Sequence, residues 1–186
     1  IKAVKALQRH ETKLRRVNKT FARTKPGSVG RRKAKARLTK IHAHIGNVRL
    51  HAAHELSAWL TQALTRLTME DLNIVGMVQL RNLAKALSDA GMGTVGRQLE
   101  YKSGWYNLEL VVADRWFAST KTCSGCRTVK EEMGLDERTY RCAKCGLVLD
   151  RDVNAAIDLA TWPEHADAWY AARTKKPGAP APPIAA

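Results

Sequence analysis

Cys142-Ala-Lys-Cys-Gly-Leu-Val-Leu-Asp-Arg-Asp-Val-Asn-Ala-Ala-Ile157 is the stretch on which the reading of this chain turns. It opens with a Cys-x-x-Cys knuckle and passes through the acidic pair Asp150 and Asp152. It ends in a run, residues 152–161, that reads as a helix starting at an acidic cap. A second knuckle, Cys123-Ser-Gly-Cys126, lies upstream with 15 residues between the two. Each knuckle puts two thiolates on one tight turn, and two knuckles together complete a tetrahedral Zn²⁺ site. The candidate ligands are therefore Cys123, Cys126, Cys142 and Cys145. The segment between them, with Arg138, Thr139, Tyr140 and Arg141, suits the strands of a zinc ribbon. Gly125 and Gly146 stand where a knuckle needs an unhindered backbone. Redox chemistry is the rival reading, but redox cysteines come as one Cys-x-x-Cys, not two in register. With four cysteines the metal has no open position, so its expected role is structural.

Outward from the ribbon the charge is uneven. The 186 residues carry a net +15. Residues 1–50 hold 16 Lys and Arg against one acidic residue, Glu11, and the rest of the chain is neutral. Such a block attracts polyanions and implies salt-dependent nucleic-acid binding; a solvated hairpin, basic for solubility, is the plainer alternative. Residues 2–21 read as a basic amphipathic helix with Val4, Leu7, Leu14, Val17 and Phe21 on one face. Lys25-Pro26-Gly27-Ser28 breaks it. A long helix is expected from Arg31 to Leu64, its apolar stripe running through Leu38, Ile41, Ile45, Val48, Ala52, Leu56, Trp59 and Ala63. The two helices can pack as an antiparallel hairpin. Arg31, Arg32, Lys33 and Lys35, with Lys121 of the ribbon, are the candidate nucleic-acid contacts. His42, His44, His51 and His54 read as polar surface.

A strand is expected at Leu67–Glu70, and a helix over 77–100 with Leu80, Leu83, Leu87, Val95 and Leu99 inward, interrupted at Gly91-Met92-Gly93. A second strand is expected over Tyr106–Val112, and a disordered Pro- and Ala-rich tail over 173–186. No secretory signal and no bilayer-spanning apolar run is present, and all four cysteines fall in one metal-spaced window, which suits a cytosolic protein. The chain begins at Ile1, which suits a processed terminus or a piece of a longer protein.

Alone, Glu70-Asp71 and Asp150-Arg-Asp152 would pass for a strand end and a helix cap. Three segments weigh against that plain reading. Asp114-Arg-Trp-Phe-Ala-Ser-Thr-Lys-Thr-Cys-Ser-Gly-Cys126, the 142–157 stretch, and Met69-Glu-Asp-Leu-Asn-Ile-Val-Gly-Met77 occur in the order found in the TnpB (OrfB) family of insertion-sequence proteins, and the chain resembles that family up to about Thr161. Two departures stand out: Ala118 where a proline is usual, and Arg127 where a glycine follows the second cysteine.

The resemblance implies an RNA-guided, metal-dependent DNA endonuclease, often labelled transposase and related to compact type V CRISPR effectors. The implied fold is α/β, a truncated RuvC/RNase H-like domain with a basic helical hairpin and an inserted zinc ribbon. The corresponding segments are 1–66 for the hairpin, 67–118 for the core, 119–149 for the ribbon, 150–172 for a C-terminal helix and 173–186 for the tail. Of the family's Asp, Glu, Asp triad, Glu70 corresponds to the Glu and Asp152 to the last Asp, with Asp150 as a neighbour; Mg²⁺ is the implied catalytic metal. The first Asp belongs to an Asp-Leu-Gly-type motif, and only Glu11 and Glu55 precede Glu70 here. The chain then corresponds to about the C-terminal half of the family and is expected to cleave little or nothing alone. DNA and a guide RNA are the implied partners, with no membrane. A catalytically dead zinc-ribbon binding fragment or accessory protein is the alternative, and a ribosomal-type basic zinc protein a third.

Overall fold

A computed structural model describes residues 4–82, 84–134 and 136–174. The chain forms two compact units. The first is built on α1 (Ala6–Arg23), α2 (Val29–Ala63), α3 (Ile74–Met77), α4 (Ala84–Ala90) and α5 (Met92–Tyr106). The second is built on β1 (Arg66–Glu70), β2 (Glu109–Ala113), β3 (Thr139–Arg141), β4 (Val148–Asp150), α6 (Arg151–Ala160) and α7 (Trp162–Thr174).

In the first unit α1 and α2 make the expected hairpin. Ala6, Ile41 and Ile45 are buried at its centre, flanked by Val4, Leu7, Leu14, Val17 and Val48. The Ser28 hydroxyl accepts from the Arg31 N–H and caps α2, so the helix starts two residues before the expected Arg31. The apolar stripe holds only for the first half of α2. Beyond Val48 the buried positions are Ala53, Ser57 and Thr61, while Trp59 is 56% exposed and Ala63 is also exposed. At 1.5 Å per residue the 18 residues of α1 span about 27 Å, roughly half of α2. The second half packs instead on α5. That seam is polar: buried Lys102 donates to the Ser57 hydroxyl at 2.7 Å and to the His54 carbonyl at 3.1 Å, and Ser57 donates to Gln98 at 2.9 Å. Its donors and acceptors meet inside the protein, which is what lets them be buried.

The helix expected over 77–100 is three pieces. Leu80 faces solvent at 51% exposure, and Leu83 lies outside the described residues. Leu99 is buried and Gly91 breaks the run with φ +65°, as expected of that interruption. Helix α5 then runs on through Tyr106 to a left-handed Asn107, so the strand expected from Tyr106 begins only at Glu109. The Asn107 N–H donates to the Ser103 carbonyl and closes the helix there, one residue short of Leu108. His42, His44, His51 and His54 are all exposed, as expected.

In the second unit β1 pairs with β2, and α6 packs on β1. Residues 114–147 loop out between β2 and β4 and carry the ribbon, whose strands β3 and β4 pair antiparallel with Tyr140 opposite Leu149. Ala113, Phe117 and Trp162 form the core, with Val111, Leu159, Ala166, Trp169 and Tyr170 around them. The C-terminal helix expected over 150–172 is two helices, α6 and α7, parted at Thr161. The signal for α7 is Thr161-Trp-Pro-Glu164, a capping-box pattern with proline near the helix start. Residues 173 and 174 belong to α7, and the rest of the expected tail lies outside the described residues.

Candidate metal centre and acidic site

The knuckles do what their spacing predicts: the four Sγ atoms all lie within 4.8 Å of one another. Cys123 and Cys145, and likewise Cys126 and Cys142, are 3.6 Å apart. A tetrahedral ion with bonds of about 2.3 Å needs sulfurs about 3.8 Å apart, so the donor set fits one metal ion. Each knuckle closes by an N–H donated to a cysteine carbonyl four residues back, Arg127 to Cys123 at 2.8 Å and Gly146 to Cys142 at 3.0 Å.

The residue that completes each turn is left-handed, Gly146 at φ +76° and Arg127 at φ +61°. The unhindered position in the first knuckle is therefore 127 and not Gly125, where an added Cβ would meet only ordinary contacts from 3.6 Å. This accounts for glycine being usual at 127. Arg127 accepts the strained backbone and uses its side chain. It forms an ion pair with the fully buried Asp158 of α6 and donates to the Thr161 hydroxyl at 2.6 Å. Burial pushes the Asp158 carboxyl up, against the opposing pull of Arg127.

The thiols differ in acidity. The Thr128 hydroxyl and amide draw Cys126 down to about 6. Cys142 is lowered first by the backbone N–H of Cys145. At Cys145 the Leu147 N–H also pulls downward, but the neighbouring sulfurs prevail and push it up to about 12. Four thiolates this close repel one another, so all four ionise together only around a cation.

The acidic residues lie on the elements beside the ribbon. Glu70 ends β1, half-buried, and the hydroxyl of buried Ser119 donates to its carboxylate. Asp152 sits in the first turn of α6 with its side chain 72% exposed, 3.2 Å from the Arg151 guanidinium. Asp150 is the N-cap of α6: its carboxylate accepts from the N–H groups of Asp152 at 2.9 Å and Val153 at 3.2 Å. Asp71 pairs with Arg115 at 2.8 Å. Among the described residues only the four cysteines gather as a group of three or more metal-binding side chains.

Of the candidate nucleic-acid contacts, Arg32, Lys33 and Lys35 are exposed. Arg31 is turned inward, over the Phe21 ring at 4.2 Å and donating to the Phe21 and Thr24 carbonyls. Lys121 donates to the Glu131 carbonyl at 3.0 Å. Sequence reasoning missed Ser119, Asn154 and the Arg127–Asp158 pair. The glycine-to-arginine departure was the one signal that marked any of them.

The described residues thus form a basic helical hairpin and a small α/β core with a four-cysteine ribbon looped out between its strand and helix. A family model described as "Probable transposase" matches residues 1–81, and one described as "Cas12f1-like, TNB domain" matches residues 93–159. A Mycobacterium tuberculosis protein named "putative RNA-guided DNA endonuclease" is 40% identical over 157 residues, covering 81% of this chain and 34% of its own length. A Streptomyces pristinaespiralis protein of the same name is 39% identical over 152 residues, covering 82% of this chain and 38% of the relative. The fold is similar to that in a cryo-EM structure of a Cas12f1–sgRNA–target DNA complex, with TM-score 0.50 and 19% identity over 81% of this chain and 42% of that one. The chain belongs to the TnpB (OrfB) family of insertion-sequence proteins. It spans about a third of the length of the curated relatives it matches. No helix among the described residues is long and apolar enough to cross a membrane.

Proposed function

We propose that this chain is the ribbon-bearing part of an RNA-guided DNA endonuclease with a truncated RuvC-like core, acting on DNA with a guide RNA as partner. Zn²⁺ is the proposed ion of the four cysteines, in a structural role, because four soft thiolates leave no open position for chemistry. The observation that carries the reading is the packing of α6 on β1. It brings the strand ending in Glu70 against the helix whose first turn holds Asp152, with the ribbon looping out before α6.

Mg²⁺ bound by such carboxylates would supply the charge that activates water and stabilises the leaving oxygen in phosphodiester cleavage. The protein's own part is to hold and orient the oxygens. Ser119 fixes one carboxylate oxygen of Glu70, and Asp150 spends its carboxylate on the helix cap. Asp152, also exposed, is the acid of the pair that the cap does not use. Phosphate contacts are assigned first to Arg32, Lys33 and Lys35, whose ammonium and guanidinium groups face solvent, with Arg31 and Lys121 in supporting positions.

The test is cleavage by a chain extended upstream to carry the missing first acid, supplied with Mg²⁺ and guide RNA. Glu70→Ala or Asp152→Ala abolishes cutting and spares DNA binding, while Asp150→Ala keeps partial activity. If Asp150→Ala is dead and Asp152→Ala still cuts, the two aspartates exchange roles. If all three cut, the nuclease reading is wrong. A second reading, a zinc-ribbon module that binds nucleic acid without cutting it, is favoured by the cysteines being the one metal-binding group among the described residues. It predicts that the extended chain binds and never cleaves.

A further inference from the structure

We infer that Ser119 and Asn154 are positioning residues through which the metal-held first knuckle sets the geometry of Glu70 and Asp152; the inference rests on the reading of those two carboxylates as cation ligands.

Asn154 is fully buried in α6, two residues beyond Asp152. Its side-chain oxygen accepts from the Ser124 N–H at 3.0 Å, and its amide nitrogen donates to the Thr122 carbonyl at 2.7 Å. The two bonds grip the backbone on both sides of Cys123. Both ends of the amide are used, so neither its orientation nor its distance from the knuckle is free. The helix moves as a rigid rod on this scale, and Asp152 moves with it.

The other direction runs through Ser119. The Thr122 N–H and hydroxyl both donate to the Ala118 carbonyl, at 3.0 and 2.9 Å, making a closed turn from 118 to 122. That turn joins Cys123 to Ser119, which is 3% exposed and donates to Glu70. Hydrogen bonds on either side of Cys123 therefore tie it to the turn carrying Ser119, which holds the Glu70 carboxylate, and to the helix carrying Asp152. Groups that hold a ligating carboxylate in this way raise metal affinity by orienting it. Because the link works in either direction, the thiolate and carboxylate sites are coupled in free energy.

The experiment uses the zinc-loaded, ¹⁵N-labelled chain titrated with Mn²⁺ alone, read as paramagnetic broadening of the amide signals near Glu70 and Asp152. In the unsubstituted chain both sets broaden along one curve. Ser119→Ala moves the midpoint about tenfold towards higher Mn²⁺, with zinc content and melting temperature unchanged. Ser119→Thr, which keeps the hydroxyl, restores the midpoint. Asn154→Ala splits the curve, so that the Glu70 and Asp152 signals no longer share a midpoint. If Ser119→Ala binds Mn²⁺ as the unsubstituted chain does while Glu70→Ala has lost it, the inference is overturned and the cation reading stands. If Glu70→Ala and Asp152→Ala both bind Mn²⁺ unchanged, the cation reading is wrong and the inference falls with it.

Discussion

The hairpin and the ribbon hold themselves together by different means. In the hairpin, eight apolar side chains from Val4 to Val48 share the core. In the ribbon the core is Cys123, Tyr140 and Cys142, with Cys126, Met133 and Leu147 beside them, so half of it consists of the candidate metal ligands themselves. Stability spread over many methyl groups degrades gradually under substitution. Stability concentrated in one coordination sphere is lost at a single atom. The hairpin can therefore carry a dense exposed charge at little structural risk, and the ribbon can serve as a rigid reference point only while its sulfurs are bridged.

The largest effect tests the ribbon side. Cys142→Ser should forfeit most of a zinc contribution on the order of 10 kcal/mol. Zinc content should fall, and amide exchange should rise across Thr139–Arg141 and Val148–Asp150, while helicity in the hairpin survives. Full metal retention would remove Cys142 from the ligand set. If the hairpin melts too, the contrast between the regions is mistaken.

The hairpin has one concentrated contact of its own. Asp89 of α4 accepts from the N–H groups of Leu7 at 2.8 Å and Gln8 at 3.2 Å, capping α1 from another helix, and from Arg49 at 2.7 Å. Asp89→Ala should cost about 2 kcal/mol in thermal or denaturant unfolding. Burial acts to raise the Asp89 carboxyl, but the Leu7 N–H and Arg49 outweigh it and hold it below its ordinary 3.8. Its contribution is therefore present above that value and lost as pH falls through the lower, folded value. The acid limb of the stability curve should flatten in the mutant. An unchanged limb would show that the cap and ion pair add nothing.

A smaller change tests Arg127. Arg127→Gly relieves a left-handed backbone worth about 1 kcal/mol, yet strips buried Asp158 of its counter-ion, a loss of about 3–5 kcal/mol for fully buried pairs. The Arg127 side chain is 36% exposed, which reduces the second figure by solvent screening. The net expectation is destabilisation by about 1–2 kcal/mol, recovered when Asp158→Asn is added. A stabilised single mutant would mean that backbone strain outweighs the ion pair.

The smallest stability effect belongs to Arg32, Lys33 and Lys35 changed together to Gln, within about 0.5 kcal/mol. Nucleic-acid affinity should nonetheless drop, and the slope of log K against log salt should flatten by about 2–3. An unchanged slope would rule this segment out as the phosphate footprint.

Much of this was legible because it is local. Two cysteines three apart specify a turn, leucines and isoleucines at helical spacing specify a buried face, and an acid before a helix specifies a cap. Where local pattern misled, a neighbour of different length or polarity had intervened. Trp59 and Ala63 continue the stripe of α2 beyond the reach of α1, and α5 covers that half through Ser57, Gln98 and Lys102 instead. Leu80 fits an amphipathic helix of 24 residues but not the short pieces that form.

By itself the sequence determined the knuckles, the basic hairpin, the capped start of α6 and the family they belong to. Only the tertiary structure decided which acid caps the helix and which does not, that Arg127 serves Asp158, that Asp89 caps a helix 82 residues earlier in the chain, and that Ser119 and Asn154 tie the ribbon to Glu70 and to α6. The division has one physical cause. Backbone turns and helical faces repeat at intervals of two to four residues and leave a pattern in the sequence. A hydrogen bond that a side chain makes to a partner 30 to 82 residues away obeys no period and becomes visible only when the chain has folded.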